Sequence, residues 1–234
     1  MIGLRWIFLL APVLIVACAD EGTGVPAPAR TDIASPGATP TPAKAASEAE
    51  KLTASCTYLL ARGEEATKIL RRYGADAKRA TLGGPEGTEL TGLVLWPGDP
   101  ARRVEVILSE DRPERAIALR FGERSTWRVN GLRVGDSIET AVRVNSAGFS
   151  LYGFGWDYGG YVSDWKGGVL ARQPGGCGIT VRFMPGENAE LDEGLVGDRV
   201  IRSDAPGMSA AGASVSEITL DLGDGAEALA TTPK

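Results

Sequence analysis

The stretch Gly148–Gly168, GFSLYGFGWDYGGYVSDWKGG, crowds aromatic rings and glycines more densely than the rest of the chain. Its pattern predicts a β-hairpin. A strand runs from Phe149 to Trp156, a turn falls at Asp157–Gly160 where two glycines permit a tight reversal, and a return strand runs from Tyr161 to Lys166. Alternate side chains of a strand point to opposite faces, so Phe149 and Leu151 share one face and Tyr152, Phe154 and Trp156 the other. Neither face is polar, and such a strand needs cover on both sides, from its own chain or from a partner. Two readings stay open. In one, the rings are core. In the other, Tyr152, Phe154, Trp156, Asp157, Tyr158 and Trp165 form a partly open binding platform edged by Asp157 and Asp164, able to hold a sugar ring, a peptide or a protein loop.

At the amino end, Arg5 precedes an apolar run from Trp6 to Val16, about eleven residues. That is too short to span a bilayer and the right length for the apolar region of a signal peptide. Ile15, Val16, Ala17 and Cys18 resemble the lipobox of bacterial lipoproteins, where the signal is cut before the cysteine and its thiol is alkylated with diacylglycerol. The alternative is a secretory signal with a chance cysteine. The resemblance implies a signal peptide over 1–17 and an acyl anchor on Cys18, with each buried methylene adding roughly 0.8 kcal/mol of membrane affinity. Asp immediately after the cysteine commonly retains such proteins at the inner membrane. Ala19 stands there instead, which implies an outer-membrane anchor facing the periplasm. Residues 18–46, rich in Ala, Pro, Thr, Gly and Ser, lack apolar periodicity and read as a disordered tether; 47–223 reads as the folded domain and 224–234 as a frayed tail.

With 25 Lys and Arg against 30 Asp and Glu, the formal charge is −5 and no face is basic, so nucleic acid is not an expected partner. The chain has no histidine, which removes the commonest general base and the commonest zinc ligand. No metal or other cofactor is expected. In the oxidising envelope that the lipobox resemblance implies, Cys56 and Cys177 read as a disulfide closing a loop of about 120 residues, with free thiols as the alternative. A nucleophilic cysteine would lack a histidine to activate it.

Along the folded part, Leu52, Cys56, Leu59 and Leu60 recur at helical spacing from Ser47 onward, and a second helix is expected over 64–73 with Gly74 closing it. Apolar strands follow at 90–96, 103–108 and 115–121. Gly131–Gly135 leads into a third helix starting at Asp136 or Ser137, with Glu139 as a capping-box partner and Gly148 as its stop. After the hairpin come strands at 178–183 and 217–222. The order is helix then strands, twice, and it implies an α+β fold of helices packed on an antiparallel sheet, in two successive units.

The run Gly131–Ser137, Asn145, Phe149, the octet GFGWDYGG beginning at Gly153, Trp165 and Gly167–Gly168 resemble a family of bacterial envelope proteins and lipoproteins to which no biochemical activity is assigned. The Gly, short strand, Gly, helix order is also similar to outer-membrane lipoproteins of the BamE and SmpA kind. The second resemblance implies an α/β domain and bears on the fold more than on the function; neither resemblance carries functional residues over. Chemistry is sparse. Asp157 and Asp164 could pair as glycosidase-like carboxylates, although strand parity sets Asp164 on the face away from Trp165. Asp192, Glu193 and Asp198 do not match a calcium loop, and Gly83–Gly87 lacks the Lys and Ser of a phosphate loop. The expected function is a lipid-anchored, non-catalytic binding or scaffold module that meets an envelope protein or cell-wall glycan through the hairpin. The alternative is a carboxylate-dependent hydrolase of an envelope polymer.

Overall fold

The computed structural model describes residues 52–223. The expected signal peptide, Cys18, the tether and the frayed tail lie outside the described residues. Where a first helix was expected, residues 52–62 hold no helix; Thr53–Ala54 form a two-residue strand, β1, followed by a turn. Cys56, Leu59 and Leu60 are buried as their spacing implied. The backbone is extended because the Arg128 N–H donates to the Leu52 carbonyl (2.8 Å) and the strand pairs with Arg128–Val129. Tertiary pairing here overrides local helical propensity. The second expected helix forms as α1 (Ala66–Tyr73), burying Ala66 and Ile69 and ending at Gly74.

The chain continues through β2 (Ala77–Gly83), β3 (Glu89–Leu95), β4 (Val104–Leu108) and β5 (Ala116–Phe121). Of these, β2 was not legible in the sequence. Two short strands come next, β6 (Arg128–Val129) and β7 (Leu132–Arg133), then α2 (Ile138–Asn145). Ser137, rather than Asp136, caps α2: its hydroxyl accepts from the Thr140 N–H at 3.3 Å, while the Asp136 carboxylate closes the preceding turn by accepting from the Arg133 N–H at 3.0 Å. The helix ends at Ser146 in left-handed conformation, two residues before the expected Gly148. Buried Asn145 then ties the end of α2 to the hairpin and to the turn beyond it. Its amide donates to the Ala147 and Trp165 carbonyls and accepts from the Leu170 N–H, leaving none of its polar atoms idle in the interior.

The remaining strands are β8 (Ser150–Tyr152), β9 (Val162–Asp164), β10 (Gly178–Met184), β11 (Val200–Arg202) and β12 (Ser214–Asp221). The hairpin is thus real but short: β8 and β9 pair antiparallel over three residues each. The expected strand does not reach Trp156, because Phe154 turns away from β9 and pairs with Val196, accepting from the Gly197 N–H (2.9 Å) and donating to Leu195 (2.7 Å). Gly153–Tyr161 consequently forms a broad loop.

One six-stranded antiparallel sheet, ordered β10-β12-β5-β4-β3-β2, dominates the described residues, with β1-β6-β7 and β11-β8-β9 as smaller sheets. The fold is α+β but mostly β, with two eight-residue helices against twelve strands among the described residues. The strands of the second unit, β10 and β12, join those of the first. Strand alternation places Val104, Val106, Leu119, Phe121, Val181, Phe183, Ile218 and Leu220 on one face, all buried.

Cys56 and Cys177 form the disulfide, with Cα atoms 5.6 Å apart and 121 residues between them in sequence. It ties the turn after β1 to the start of β10. Replacing both cysteines by Ser should lower the unfolding free energy by roughly 3 to 5 kcal/mol, mainly by freeing a long loop in the unfolded chain, as urea denaturation would show.

Candidate functional site

The face of the large sheet opposite the core carries charge. Counting two residues at a time along each strand, Glu105 on β4, Arg120 on β5, Glu217 on β12 and Arg182 on β10 all point away from the buried face, and Arg103, just before β4, lies beside them. They form the floor of an open groove of about 1210 Å³. One wall is the β2–β3 turn at Gly83–Gly87, another is the turn after β5, and the third is Trp156, Asp157, Tyr158 and Tyr161 from the loop inside the hairpin.

Arg120 is the hub of the floor. Its guanidinium donates to Glu105 at 2.6 and 2.8 Å, donates to the Gly83 carbonyl at 2.8 Å, and lies 3.9 Å from Glu217. Arg103 reaches the other oxygen of Glu105 at 2.8 Å. For Glu105, burial pushes the carboxyl pKa up, but the hydrogen bonds and charges of Arg103 and Arg120 outweigh it and hold the group below its ordinary range. Glu217 goes the other way. Burial dominates, the nearby Glu105 charge adds to it, and Arg120 and Arg182 only partly offset them, so its pKa is raised. Tyr161 donates weakly to Glu217 at 3.5 Å, and burial followed by the Glu217 charge raises the Tyr161 phenol.

Arg182 clasps the aromatic loop to the sheet. Its side chain donates to the Gly159 carbonyl (3.0 Å) and the Asp157 carbonyl (3.2 Å), and its guanidinium sits 4.9 Å from the centre of the Tyr161 ring. The backbone completes the attachment: Tyr161 pairs with Arg182 across an isolated bridge, and the Phe183 N–H donates to the Gly160 carbonyl at 2.9 Å. Gly160 has φ +80°, and a Cβ there would collide with the Phe183 carbonyl oxygen. No other residue fits this close approach.

The structure divides the six sequence candidates. Trp156, Asp157 and Tyr158 line the groove; Tyr152 stands behind them, its ring edge-on to Trp156 at 5.9 Å. Phe154 and Trp165 are core side chains, 1% and 8% exposed. Tyr158 also packs against Trp156, ring centres 5.4 Å apart, and the indole N–H donates to the Gly153 carbonyl at 2.8 Å. Tyr158 is exposed and donates to Glu86 at 3.3 Å across the groove mouth; the Glu86 charge raises its phenol pKa. Asp164 is not part of the wall and pairs with Lys166 at 2.8 Å, whose hydrogen bond lowers its pKa. Sequence reasoning missed Arg103, Glu105, Tyr161, Arg182, Glu217 and Arg120 as site residues. For all but Tyr161, which lies in the hairpin loop, the available clue was a period-two alternation with the apolar residues of β4, β5, β10 and β12.

Among the described residues, no group of three or more Cys, Asp or Glu side chains could hold a metal ion, and no helix is long and apolar enough to cross a membrane. No protein-family model, curated protein or solved structure matches the chain.

Gly160→Ala should destabilise the protein by at least about 2 kcal/mol, through backbone strain and the lost Phe183 bond. Gly98→Ala, in open space, should stay within about 0.5 kcal/mol in the same urea titration. A second expectation concerns pH. Because the folded-state pKa of Glu217 is raised, the folded protein binds more protons than the unfolded chain, so this group's contribution to stability grows as pH falls from neutral towards the usual glutamate value of 4.5 and is lost as pH rises through the folded value. Glu217→Gln should remove that contribution, so its stability relative to the native protein falls from pH 7 to pH 5 in paired urea titrations.

Proposed function

We propose that this chain is a lipid-anchored, non-catalytic binding module of the bacterial envelope, facing the periplasm from the outer membrane and holding its ligand in the groove between the charged sheet face and the aromatic loop. The acyl group on Cys18 supplies the membrane attachment and residues 18–46 the tether; the ligand belongs to an envelope protein or a cell-wall glycan. One observation carries the reading. The aromatic stretch singled out by sequence contributes Trp156, Asp157 and Tyr158 to the wall of a large open groove, over a floor of charged side chains already fixed by mutual pairing. Rigid aromatic anchors beside convergent polar groups are the usual composition of a recognition site. The specific carboxylate pair that would have made the hairpin a hydrolase does not assemble: Asp164 is committed to Lys166 away from the groove wall that carries Asp157.

The test places a photo-crosslinking residue at Tyr158 in growing cells, with a second variant at Tyr58, which is 69% exposed and outside the groove lining. A discrete protein or carbohydrate adduct at Tyr158 that is absent at Tyr58 is the expected result. The same adducts at both positions, or none at Tyr158 in protein that is folded and present, would refute it.

A further inference from the structure

The wall and the floor of the groove have different chemistry, and together they narrow what fits. Trp156 has its one polar atom bonded to Gly153 and its ring held edge-on by Tyr152 and Tyr158, so what it offers a ligand is a fixed apolar ring surface. It is half-buried, whereas Trp96, Trp127 and Trp165, the other tryptophans among the described residues, are 9%, 2% and 8% exposed. The apolar C–H face of a pyranose ring stacks on such a surface.

The floor is polar yet nearly neutral. Four arginines and five carboxylates line the groove, a net charge of −1. At the rim, the exposed turn after β5 contributes one charge of each sign, Glu123 and Arg124, so it favours neither an anion nor a cation. On the floor, Glu105 is already shared by Arg103 and Arg120, and Arg182 is tied to loop carbonyls. An ion settling there would have to displace a partner from these contacts. A hydroxyl would not, since carboxylates and guanidinium groups retain spare lone pairs and N–H groups when paired with each other. Their positions are fixed before the ligand arrives, which lowers the entropy lost on binding. An extended peptide would want an open strand edge, and the edge of β10 beside the groove is occupied by Gly160 and Tyr161. Finally, about 1210 Å³ exceeds the roughly 300–1,000 Å³ of a small-molecule pocket, enough for several linked rings.

We propose that the groove binds an uncharged oligosaccharide of linked pyranose rings, stacked on Trp156 and Tyr158 and hydrogen-bonded through its hydroxyls to the floor around Arg103, Glu105 and Arg120. This rests on the proposed binding function and names the ligand class for the same site. The test is isothermal titration of the full chain in detergent micelles with cellotetraose and chitotetraose as neutral probes and tetragalacturonate as the acidic counterpart. At least one neutral probe should bind with a Kd of ~1 mM or tighter, and tetragalacturonate at least about tenfold more weakly. Trp156→Ala should weaken the neutral probe about tenfold, with Trp156→Phe recovering part of the loss. Exposed Tyr158→Ala, which leaves the core untouched, should weaken it severalfold. Preference for tetragalacturonate, or neutral binding indifferent to both positions, overturns the proposal. Absence of any probe binding together with a protein adduct at Tyr158 overturns the sugar assignment alone; absence of both binding and adduct overturns the groove as a site.

Discussion

Strand β12 is hydrogen-bonded along both edges, to β5 on one side and β10 on the other, and this double pairing joins two stretches of chain that local contacts would leave apart. The meeting of the groove's two halves depends on it. Glu217 sits on β12 itself; Arg120 lies on one neighbour and Arg182 on the other. The loop with Trp156 and Tyr158 is fastened to the far edge of β10. The wall from the second half of the chain therefore stands over a floor from the first half only because β12 brings them into one sheet.

Within that frame a single guanidinium sets the electrostatics. Arg120, with 16% of its side chain exposed, serves Glu105, the Gly83 carbonyl and the neighbourhood of Glu217 at once. Exposed pairs such as Arg202–Asp204, whose side chains are 77% and 63% exposed, contribute little beyond local order. The Arg120 cluster differs because its members are mostly shielded, so losing one would leave the others short of partners. It also splits two glutamates that would be equivalent in water. Glu105 takes the direct bonds and is held ionised, while Glu217 receives a longer contact and more burial and keeps its proton to higher pH.

Much of the scaffold was legible because it arises from local pattern. Alternation in Val104–Leu108 and Ile218–Leu222 marked strands, the stripe over 64–73 marked a helix, and Cys56 and Cys177 marked a bridge. The errors came where distant chain decided the outcome. Leu52–Leu60 has helical spacing but is drawn into extended pairing by Arg128, and Phe154 is diverted from the hairpin by Val196. The site was half visible for the same reason. Aromatic crowding pointed to Trp156, Asp157 and Tyr158, but Glu105, Arg120, Arg182 and Glu217 are scattered over four strands whose order no local signal encodes. Their alternation with core residues identified an outward face; only strand order could show that this face lies beneath the aromatic loop.

The central place of β12 also has a consequence in time. Its two neighbours precede it in the sequence, β5 by nearly the full span of the second half, so β5 is synthesised long before the strand that will cover its free edge. Until residues 214–221 arrive, β5 and β10 each present an unsatisfied row of backbone N–H and C=O groups, an invitation to pair with another chain. Completion of the sheet is a late, long-range event, of the kind that makes folding slow and leaves intermediates prone to association. For a protein of this topology, the most hazardous moment is the interval before its last strand slides between the two that wait for it.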